Sequence, residues 1–398
     1  MGTATANLSR RLGRGGGSVV GGRAILAMDP RALEELARAR RVALVSGTNG
    51  KTTTTSLLAS ALSTSGPVVT NVLGANLPPG LAAALASAPA GVPAALEVDE
   101  AWLSRVVSST HPAVVALLNL TRDQLDRNNE VRMLAASWRR TFAGDEASDA
   151  TVVANADDPL VVWGASGSRR VTWVGAGQPW TADAGGCPGC GGRIDFPTGA
   201  GGWRCSSCDL ARPALDVWLE GGVVVTSAGE RFPLQMALPG RANQANAAMA
   251  LCAARLMGVE PAAAVAAMGA TTEVVGRYRT VAVNGLEVRL LLAKNPAGWL
   301  EVLDVLAPPP VLVVVAINSR IADGRDPSWL WDVPFEALRG RLVVASGERS
   351  RDLAVRLHYA EVDHRHEPDP LAAIRLAGDA AGVGKEVDVV GNYTAFQV

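Results

Sequence analysis

Strand-length apolar runs alternate with alanine-rich, helix-compatible runs from Arg41 onward. The runs RVALVSG, PAVVALLNL and TVVAN have the length of buried strands, whereas TTTTSLLASALSTSG has the length of a helix. This alternation predicts a parallel sheet with crossover helices. The longest apolar runs, such as Val311–Ile317, are also strand-length, so no segment is expected to span a bilayer.

A break in composition between about Gly175 and Leu215 interrupts this pattern, because Gly, Pro, Cys and Asp replace the apolar periodicity there. The α/β pattern resumes with a helix-like segment, Asn243–Met257. A second set of apolar runs then follows: LEVRLLLA, VLVVVAI, RLVVASG and EVDVVGNY. We predict an N-terminal segment (1–40), a central α/β domain (41–275) with an insertion (176–215), and a smaller C-terminal α/β domain (276–398).

Composition narrows the class of protein without naming a partner. The 398 residues are 48% hydrophobic and carry a formal net charge of -1, which argues against a polyanion-binding protein and against a disordered chain. The arginine- and glycine-rich N-terminus has no apolar stretch of the length that a secretory signal needs. We therefore expect the protein in the cytoplasm.

A glycine-rich loop, VSGTNGKTT, follows the first apolar run directly and precedes a helix-compatible run. Backbone N–H groups in such a loop hold phosphate oxygens, a lysine faces the transferred phosphate, and a threonine hydroxyl ligates Mg²⁺. A glycine turn with a chance lysine is the alternative. Lys51 is also a candidate catalytic residue. The predicted ATP-binding residues of the loop are Gly47, Thr48, Asn49, Gly50, Lys51, Thr52 and Thr53.

Two CxxC pairs lie in the inserted segment, fourteen residues apart. Four thiolates suit a tetrahedral, structural Zn²⁺ site, and unpaired thiols or a redox pair are the alternatives. The fifth cysteine, Cys252, falls in an alanine-rich helical run and is expected to be a core thiol. The predicted zinc ligands are Cys187, Cys190, Cys205 and Cys208.

Several segments share their order and sequence with one enzyme family: GTNGKTT, LEVDEA, LLNLTRDQLDR, NADDP, GRANQANAAMA, GRYRT and KNPAG. Together they resemble the Mur ligase family and cover most of the chain from Arg41. In that family too, the ATP-binding loop lacks the first glycine of the general G-x-x-x-x-G-K-[ST] pattern, whose place Val45 takes in this chain. The resemblance implies an ATP-dependent carbon-nitrogen ligase. Such an enzyme activates a carboxylate as an acyl phosphate, which a nitrogen nucleophile then attacks.

The resemblance also assigns candidate metal ligands in LEVDEA. Carboxylates at a strand end beside the phosphate loop suit a hard cation that bridges phosphates. Glu100 is the preferred Mg²⁺ ligand, Glu97 is the next, and Thr52 supplies a hydroxyl. Either acid could instead be an exposed surface residue.

Three polar residues further along the chain are candidates by the same resemblance. Asn243 resembles a family asparagine near the adenine, and Asn246 lies one helical turn away, where it could bind ligand or serve as a cap. Arg277 resembles an arginine at the join between domains that could reach the ATP phosphates. An ordinary surface arginine is the alternative for Arg277.

The C-terminal string ADGRDPSWLWD, together with NLTRDQLDR and the four cysteines, narrows the resemblance to one branch of the family. Gln124 stands where amino-acid-adding Mur ligases usually carry a histidine. The branch consists of synthetase subunits that amidate the D-glutamate α-carboxylate of the lipid II stem peptide to D-isoglutamine. Ammonia would come from a separate glutaminase subunit, and the lipid-linked substrate would be met at the inner face of the membrane.

Three acids in that string are candidates for supporting the partner. In the branch, one aspartate is thought to approach the glutaminase and support its catalytic histidine, and the sequence does not identify which of Asp323, Asp326 and Asp332 matches it. Asp326 and Asp332 are the better placed if the tryptophans line the interface. Trp329 and Trp331 would face the same way on a strand, so both could equally be core residues.

Two rival functions remain. A ligase that adds a whole amino acid or glutamate would hydrolyse ATP in response to a free amino acid. A nucleic-acid- or protein-binding module built on the zinc ribbon is the other rival. Few cations lie near the cysteines, however, with Arg193 and Arg204 the nearest along the chain, so we expect weak phosphate-backbone affinity and no nucleic-acid partner.

Overall fold

The computed structural model describes residues 17–71, 75–123, 131–147, 149–197, 202–274, 278–283, 285–307, 312–321, 323–381 and 386–397. The described residues fall into two compact units. The first lies within Met1–Thr121, Glu130–Leu238 and Ala242–Thr272, and the second within Arg122–Asn129, Pro239–Arg241 and Glu273–Val398. Gln124 and Arg277, both singled out from the sequence, lie outside the described residues.

The α-helices follow the predicted alanine-rich runs in several places. In chain order they are α1 (Gly17–Met28), α2 (Ala32–Ala37), α3 (Lys51–Ser63), α4 (Pro78–Ala86), α5 (Leu103–Thr110), α6 (Val131–Ala143), α7 (Pro159–Ala165), α8 (Arg241–Leu256), α9 (Pro261–Gly269), α10 (Pro296–Val305), α11 (Ser350–Tyr359) and α12 (Pro370–Ala381). Cys252 is buried in α8, as expected of a core thiol. Among the described residues, no helix combines the length and apolar character needed to cross a membrane.

The first unit is built around a nine-stranded sheet with the order β11-β10-β9-β6-β5-β4-β1-β3-β2. Its strands are β1 (Val42–Ser46), β2 (Val69–Thr70), β3 (Ala94–Glu97), β4 (Val114–Leu117), β5 (Thr151–Asn155), β6 (Val171–Gly175), β9 (Val217–Glu220), β10 (Val223–Thr226) and β11 (Arg231–Pro233). Strands β1 to β6 and β9 pair in parallel, which confirms the predicted parallel sheet. Strands β10 and β11 extend it in antiparallel fashion, which the apolar pattern did not predict.

Burial explains why the central strands read as continuous apolar runs. Every residue of β1 is buried, and so is every residue of β4, because helices cover both faces of a parallel sheet. Parallel pairing also brings the carboxyl ends of β1, β3 and β4 to one edge of the sheet, where the loop after β1 begins. This edge carries the candidate site of the first unit.

The inserted segment forms a small two-stranded ribbon within the first unit. Strands β7 (Ile194–Asp195) and β8 (Arg204–Cys205) pair in antiparallel fashion. Trp203, 4% exposed, packs with Val162 of α7 in a cluster that also contains two of the cysteines. The ribbon therefore shares a small apolar core with the main body of its unit.

The second unit contains a six-stranded sheet with the order β12-β13-β17-β14-β15-β16. Its strands are β12 (Tyr278–Val283), β13 (Leu286–Leu292), β14 (Leu312–Ala316), β15 (Val343–Ser346), β16 (His364–His366) and β17 (Glu386–Gly391). Only the β12–β13 pair is antiparallel among these described strands. The four apolar runs predicted for the C-terminal domain correspond to β13, β14, β15 and β17.

The tryptophan segment does not form the strand considered for it. Trp329 and Trp331 lie on a short 3₁₀ helix, Ser328–Trp331, in which residues two apart face different directions. Trp329 packs against the apolar core of the second unit, whereas Trp331 is 55% exposed. The idea that both tryptophans share one side of a strand is therefore wrong.

Candidate active site

The loop between β1 and α3 has the backbone that a phosphate-binding loop requires. Gly47 and Gly50 have φ values of 146° and 81°, a region that residues with a side chain rarely adopt. A Cβ atom at Gly50 would lie 2.5 Å from Oδ1 of Asn246, so the α8 asparagine packs directly against the loop. Both glycines are thus needed for conformation, and at Gly47 a Cβ atom would also crowd the backbone N and O atoms of Asn119, at 3.0 Å each.

The helix that follows the loop presents its N-terminus at the same place. Helix α3 begins at Lys51, and no side chain caps it at Gly50. The first N–H groups of a helix have no partner within the helix, and the helix dipole favours negative charge there. Thr53 is buried in this first turn. This arrangement suits the oxygens of a nucleotide phosphate.

Lys51 is buried, and its ammonium group is held by oxygen atoms. Its Nζ atom donates to the carbonyl of Gly47 and, at 3.1 Å, to that of Thr48, and it lies 3.0 Å from Oε2 of Glu100. Burial disfavours the ammonium, but the carboxylates of Glu100, Glu97 and Asp99 together outweigh burial and hold the pKa of Lys51 above its ordinary value. The side chain is therefore a cation fixed beside the loop.

Glu97 is positioned by contacts on both sides of its carboxylate. The hydroxyl of Thr52 donates to Oε2 at 2.8 Å, and Nδ2 of Asn76 donates to Oε1 at 3.1 Å. Asn71 bonds the backbone of Glu97 through both ends of its amide, at 2.8 Å each. The hydroxyl and the carboxylate that were predicted to share a metal ion are thus already neighbours.

Glu100 lies in the turn that follows β3 and is 5% exposed. Its carboxylate pairs with Lys51, and its carbonyl accepts a hydrogen bond from Nε1 of Trp138 at 3.0 Å. Both predicted acids are therefore buried beside the loop, and the alternative that they are exposed surface residues is wrong.

Two loop partners were not singled out from the sequence. Asn119 accepts from the backbone N–H of Thr48 through its carbonyl and from that of Asn49 through its Oδ1, each at 2.9 Å. Thr121 donates its N–H to the hydroxyl of Thr48 at 3.0 Å. Both residues follow β4, the strand next to β1, and belong to the NLTRDQLDR segment. The signal that could have identified them is their place just beyond the end of a strand that lies parallel to β1.

The three polar candidates Asn243, Asn246 and Arg277 differ in where they lie. Asn243 lies in the first turn of α8, partly exposed, and Asn246 one turn later contacts the loop at Gly50. Arg277 is among the residues that the structure does not describe. Asn246, for which the sequence allowed either a capping role or a ligand contact, therefore lies directly against the loop.

The four paired cysteines come together in the ribbon. Their Sγ atoms all lie within 4.8 Å of one another, with Cys187 and Cys208 3.7 Å apart and Cys190 and Cys205 3.5 Å apart. Cys187 and Cys205 are buried, and none of the four is in a disulfide. A compact set of four thiols with this spacing could hold a tetrahedral metal ion.

The three acids of the second unit have different surroundings. Asp323 is 5% exposed and accepts from the backbone N–H groups of Tyr393 and Thr394, at 2.8 and 2.9 Å. Asp326 is exposed and accepts from the N–H of Ser328 at 2.9 Å. Asp323 therefore anchors the C-terminal 3₁₀ helix, Tyr393–Gln397, whereas Asp326 presents a carboxylate at the surface.

Asp332 belongs to a charged cleft in the second unit. Its carboxylate lies 3.3 Å from the guanidinium of Arg122, and Asp123 pairs with Lys294. Both pairs, together with Asp326, line the same cleft. The NLTRD segment thus supplies two residues to this cleft, which the spacing along the chain did not predict.

Two parts of the chain match known protein families. Residues 45–179 match the Mur ligase middle domain, and residues 292–396 match the MurT ligase C-terminal domain. The first range contains the phosphate loop with its acids, and the second contains the DGRD and SWLWD acids. The family matches thus fall on both candidate sites.

Characterised relatives resemble the chain over most of its length. The MurT subunit of the glutamine-hydrolysing lipid II isoglutaminyl synthase from Streptococcus pneumoniae is 31% identical over 378 residues, covering 87% of this chain and 83% of the relative. The corresponding subunit from Staphylococcus aureus strain COL is 28% identical, covering 81% and 78%. UDP-N-acetylmuramoylalanine--D-glutamate ligase from Chlorobium limicola is 30% identical, covering 87% and 70%.

Solved structures share the fold at low sequence identity. A pseudomurein peptide ligase type C from Methanothermus fervidus superposes with a TM-score of 0.70 at 19% identity, covering 90% of this chain and 77% of that one. MurF from Acinetobacter baumannii gives 0.65 at 15% identity, covering 95% and 77%. At such identities the likeness concerns the fold alone.

Proposed function

Because this chain belongs to the MurT family of Mur-ligase-like synthetase subunits, we propose that it is the ATP-dependent subunit of a lipid II isoglutaminyl synthase. Its reaction is the amidation of the D-glutamate α-carboxylate in the lipid II stem peptide, in peptidoglycan synthesis. The observation that carries the proposal is the loop at Lys51, with a helix N-terminus, a buried ammonium and two buried carboxylates around one small volume.

The reaction has two balanced steps. A carboxylate oxygen of the substrate attacks the γ-phosphorus of ATP, and the bond from that phosphorus to the β,γ-bridging oxygen breaks. The products are an acyl phosphate and ADP. Ammonia then attacks the acyl carbon, the bond to the phosphate oxygen breaks, and the product is an amide with loss of one proton and of inorganic phosphate. Lys51 and the N–H groups of α3 stabilise the negative charge that moves among the phosphate oxygens.

Mg²⁺ fits the oxygen groups beside the loop. The hydroxyl of Thr52 and the carboxylates of Glu97 and Glu100 are hard ligands of the type that Mg²⁺ prefers. Bound there, the ion would act as a Lewis acid on the phosphate oxygens. The direct contact between Thr52 and Glu97 favours this pair as ligands, and Glu100 also neutralises Lys51.

ATP contacts are proposed for the loop residues Gly47 to Thr53, and for Asn243 and Arg277 by family resemblance. Support for the loop comes from its two glycines with positive φ and from the contact of Asn246 with Gly50. We also propose that residues 41–275 form the central domain, with the insertion at 176–215, and that residues 276–398 form the C-terminal domain.

A glutaminase subunit is the proposed source of ammonia. The relatives named MurT are subunits of a glutamine-hydrolysing enzyme, which implies a partner. Asp326 and Asp332 are exposed on the second unit and can meet a partner's side chain, whereas Asp323 is occupied by backbone N–H groups. We assign the supporting role to Asp326 or Asp332, and propose that the complex works at the membrane surface because its substrate is lipid-linked.

The four thiols are proposed as a structural zinc site. Cys187, Cys190, Cys205 and Cys208 would fill all four positions of a tetrahedral ion, leaving none open for substrate. Zinc would hold the ribbon together, because few apolar residues in that segment are available for a core of its own.

The test is an amidation assay on lipid II with the full chain and its co-purified glutaminase subunit. Product amide that depends on ATP, Mg²⁺ and glutamine supports the proposal. ATP hydrolysis stimulated by a free amino acid, with that amino acid incorporated into the product, would instead identify an amino-acid-adding ligase.

A further inference from the structure

The segment Leu118–Thr121, which follows β4, lies between the phosphate loop and the turn that joins β5 to α7. On the loop side, Asn119 and Thr121 bond the backbone and side chains of Thr48 and Asn49. The conformation of the loop therefore depends on where this segment lies.

On its other side, the segment is bonded to the NADDP turn. Nδ2 of Asn155 donates to the carbonyl of Leu118 at 3.0 Å. The backbone N–H of Leu120 donates to Oδ2 of Asp158 at 2.8 Å. Two side chains, one at the end of β5 and one at the end of the turn, thus fix the backbone of the segment that holds the loop.

Asp158 uses its two oxygens for different purposes. Oδ1 accepts from the N–H groups of Leu160 and Val161, at 2.9 and 3.3 Å, and so caps α7. Oδ2 accepts from Leu120 and, at 3.1 Å, from Gln178. A residue needed only as a helix cap would use one oxygen, and the second oxygen is directed at the segment.

Burial makes these bonds hard to replace. Asp158 and Leu120 are fully buried, and Asn155 is 4% exposed. A buried N–H group that loses its acceptor cannot turn to water, so the backbone around it must shift to find a new partner. A shift of Leu120 moves its neighbours Asn119 and Thr121, and with them the contacts to Thr48 and Asn49.

We infer that Asp158 is a positioning residue for the nucleotide, acting through Leu120 and the Asn119 and Thr121 contacts to hold the phosphate loop in its binding conformation. The inference rests on the proposed function, because it presupposes that the loop binds ATP. Among the hydrogen bonds of the described residues, the Asp158 carboxylate makes none to the loop itself, so it acts through Leu120.

The test compares variants of the full chain that keep or remove the second oxygen. Asp158→Ser retains one oxygen at the cap position of α7 but has no acceptor for the N–H of Leu120. Asp158→Asn is the second variant, since it keeps the shape and replaces one oxygen by a donor. Asp157→Asn is the matched control, because Asp157 on the same turn bonds Arg212 and Gly177 and not the segment.

The measurement is the Kd for a non-hydrolysable ATP analogue with Mg²⁺, by titration calorimetry. The inference predicts that both Asp158 variants bind at least about tenfold more weakly than the natural chain, and that Asp157→Asn stays within about twofold. It also predicts a raised KM for ATP with little change in the KM for lipid II. Partial unfolding would instead lower kcat and leave the KM for ATP unchanged.

Wild-type affinity in both Asp158 variants would overturn the inference and leave the proposed function intact. So would an equal loss in Asp157→Asn, which would mean that any disturbance of the turn weakens binding. Failure of the unaltered chain to bind the analogue would overturn the proposed function, and the inference with it.

Discussion

Lys51 and Glu100 form a buried ion pair, with Nζ 3.0 Å from Oε2, although the two residues are 49 positions apart in the chain. Each follows a different strand, β1 or β3, and the parallel pairing of those strands brings the two together. The pair places a fixed positive charge and a carboxylate at the N-terminus of one helix. This is the chemistry that a nucleotide phosphate and its Mg²⁺ ion require.

Neutralising the acids beside the loop should weaken the response to Mg²⁺. Glu97→Gln and Glu100→Gln each remove a charged oxygen ligand, so the Mg²⁺ concentration for half-maximal amidation should rise by about tenfold or more. The measurement is a Mg²⁺ titration of initial rates at saturating ATP. Asp157→Asn is the control, because Asp157 bonds Arg212 and Gly177 on the turn after β5. Unchanged Mg²⁺ curves in both glutamine variants would contradict the assignment.

Substitution of an acid of the second unit should affect amidation with glutamine and amidation with ammonia differently. Replacing the aspartate that supports the glutaminase, Asp326 or Asp332, by asparagine should abolish glutamine-dependent amidation and leave ammonia-dependent amidation largely intact. Amide product is measured with glutamine and with ammonium in parallel. Asp323→Asn should instead lower stability, because a buried carboxylate that anchors Tyr393 and Thr394 is lost.

An equal loss with both donors in Asp326→Asn or Asp332→Asn would place that acid in the ATP-dependent half of the reaction. Full activity with both donors in both variants would show that neither Asp326 nor Asp332 supports the glutaminase.

The purified chain should contain about one zinc ion per molecule, since four thiolates complete a tetrahedral site. Cys187→Ser and Cys205→Ser should each lose most of it, as measured by elemental analysis after dialysis. Cys252→Ala should keep the metal, because that thiol is buried in α8, outside the group of four. Much less than one zinc per unaltered chain would show that the ribbon holds together by other means.

Stability should fall as the pH rises through the titration of Asp158. Burial raises the pKa of Asp158 to about 6, against the hydrogen bonds from Leu120, Val161 and Leu160, which lower it. Between the ordinary aspartate value of about 4 and this raised value, the folded chain holds a proton that the unfolded chain has lost. The free energy of unfolding should therefore decrease over that window, by up to about 3 kcal/mol, and level off above it.

Urea unfolding of the natural chain and of Asp158→Asn, at several pH values between about 4 and 8, tests this prediction. The difference between the two free energies should shrink as the pH rises, because the asparagine variant has no group to titrate at that position. Parallel curves would mean that Asp158 titrates alike in the folded and unfolded chains.

The phosphate loop and the cysteine group were predictable because each is set by residues close together in the chain. Gly47, Gly50 and Lys51 are fixed by their spacing after a strand, and the CxxC pairs by the geometry of short loops. The acids Glu97 and Glu100 were predicted from the family resemblance, together with their place at the end of a strand. In each of these cases, residues close together in the chain predict where the polar groups come together.

The contacts of Asn119, Thr121 and Asp158 could not be read in the same way. They depend on β4 lying beside β1 and on β5 lying beside β4, and strand order follows from packing of the whole unit. The antiparallel pairing of β10 and β11 was missed for the same reason, because strand direction also follows from packing of the whole unit. The 3₁₀ helix of Trp329 and Trp331 was missed because a short apolar run does not distinguish a strand from a tight helical turn.

The most direct test of the account is ATP binding by the full chain with and without the Lys51 ammonium. With Mg²⁺ present, the unaltered chain should bind ATP, and Lys51→Ala should bind at least about a hundredfold more weakly, because a buried charge-assisted contact is removed. Binding by calorimetry and the amidation rate should fall together. Equal affinity in the two proteins, or no ATP binding by the unaltered chain, would contradict the central claim.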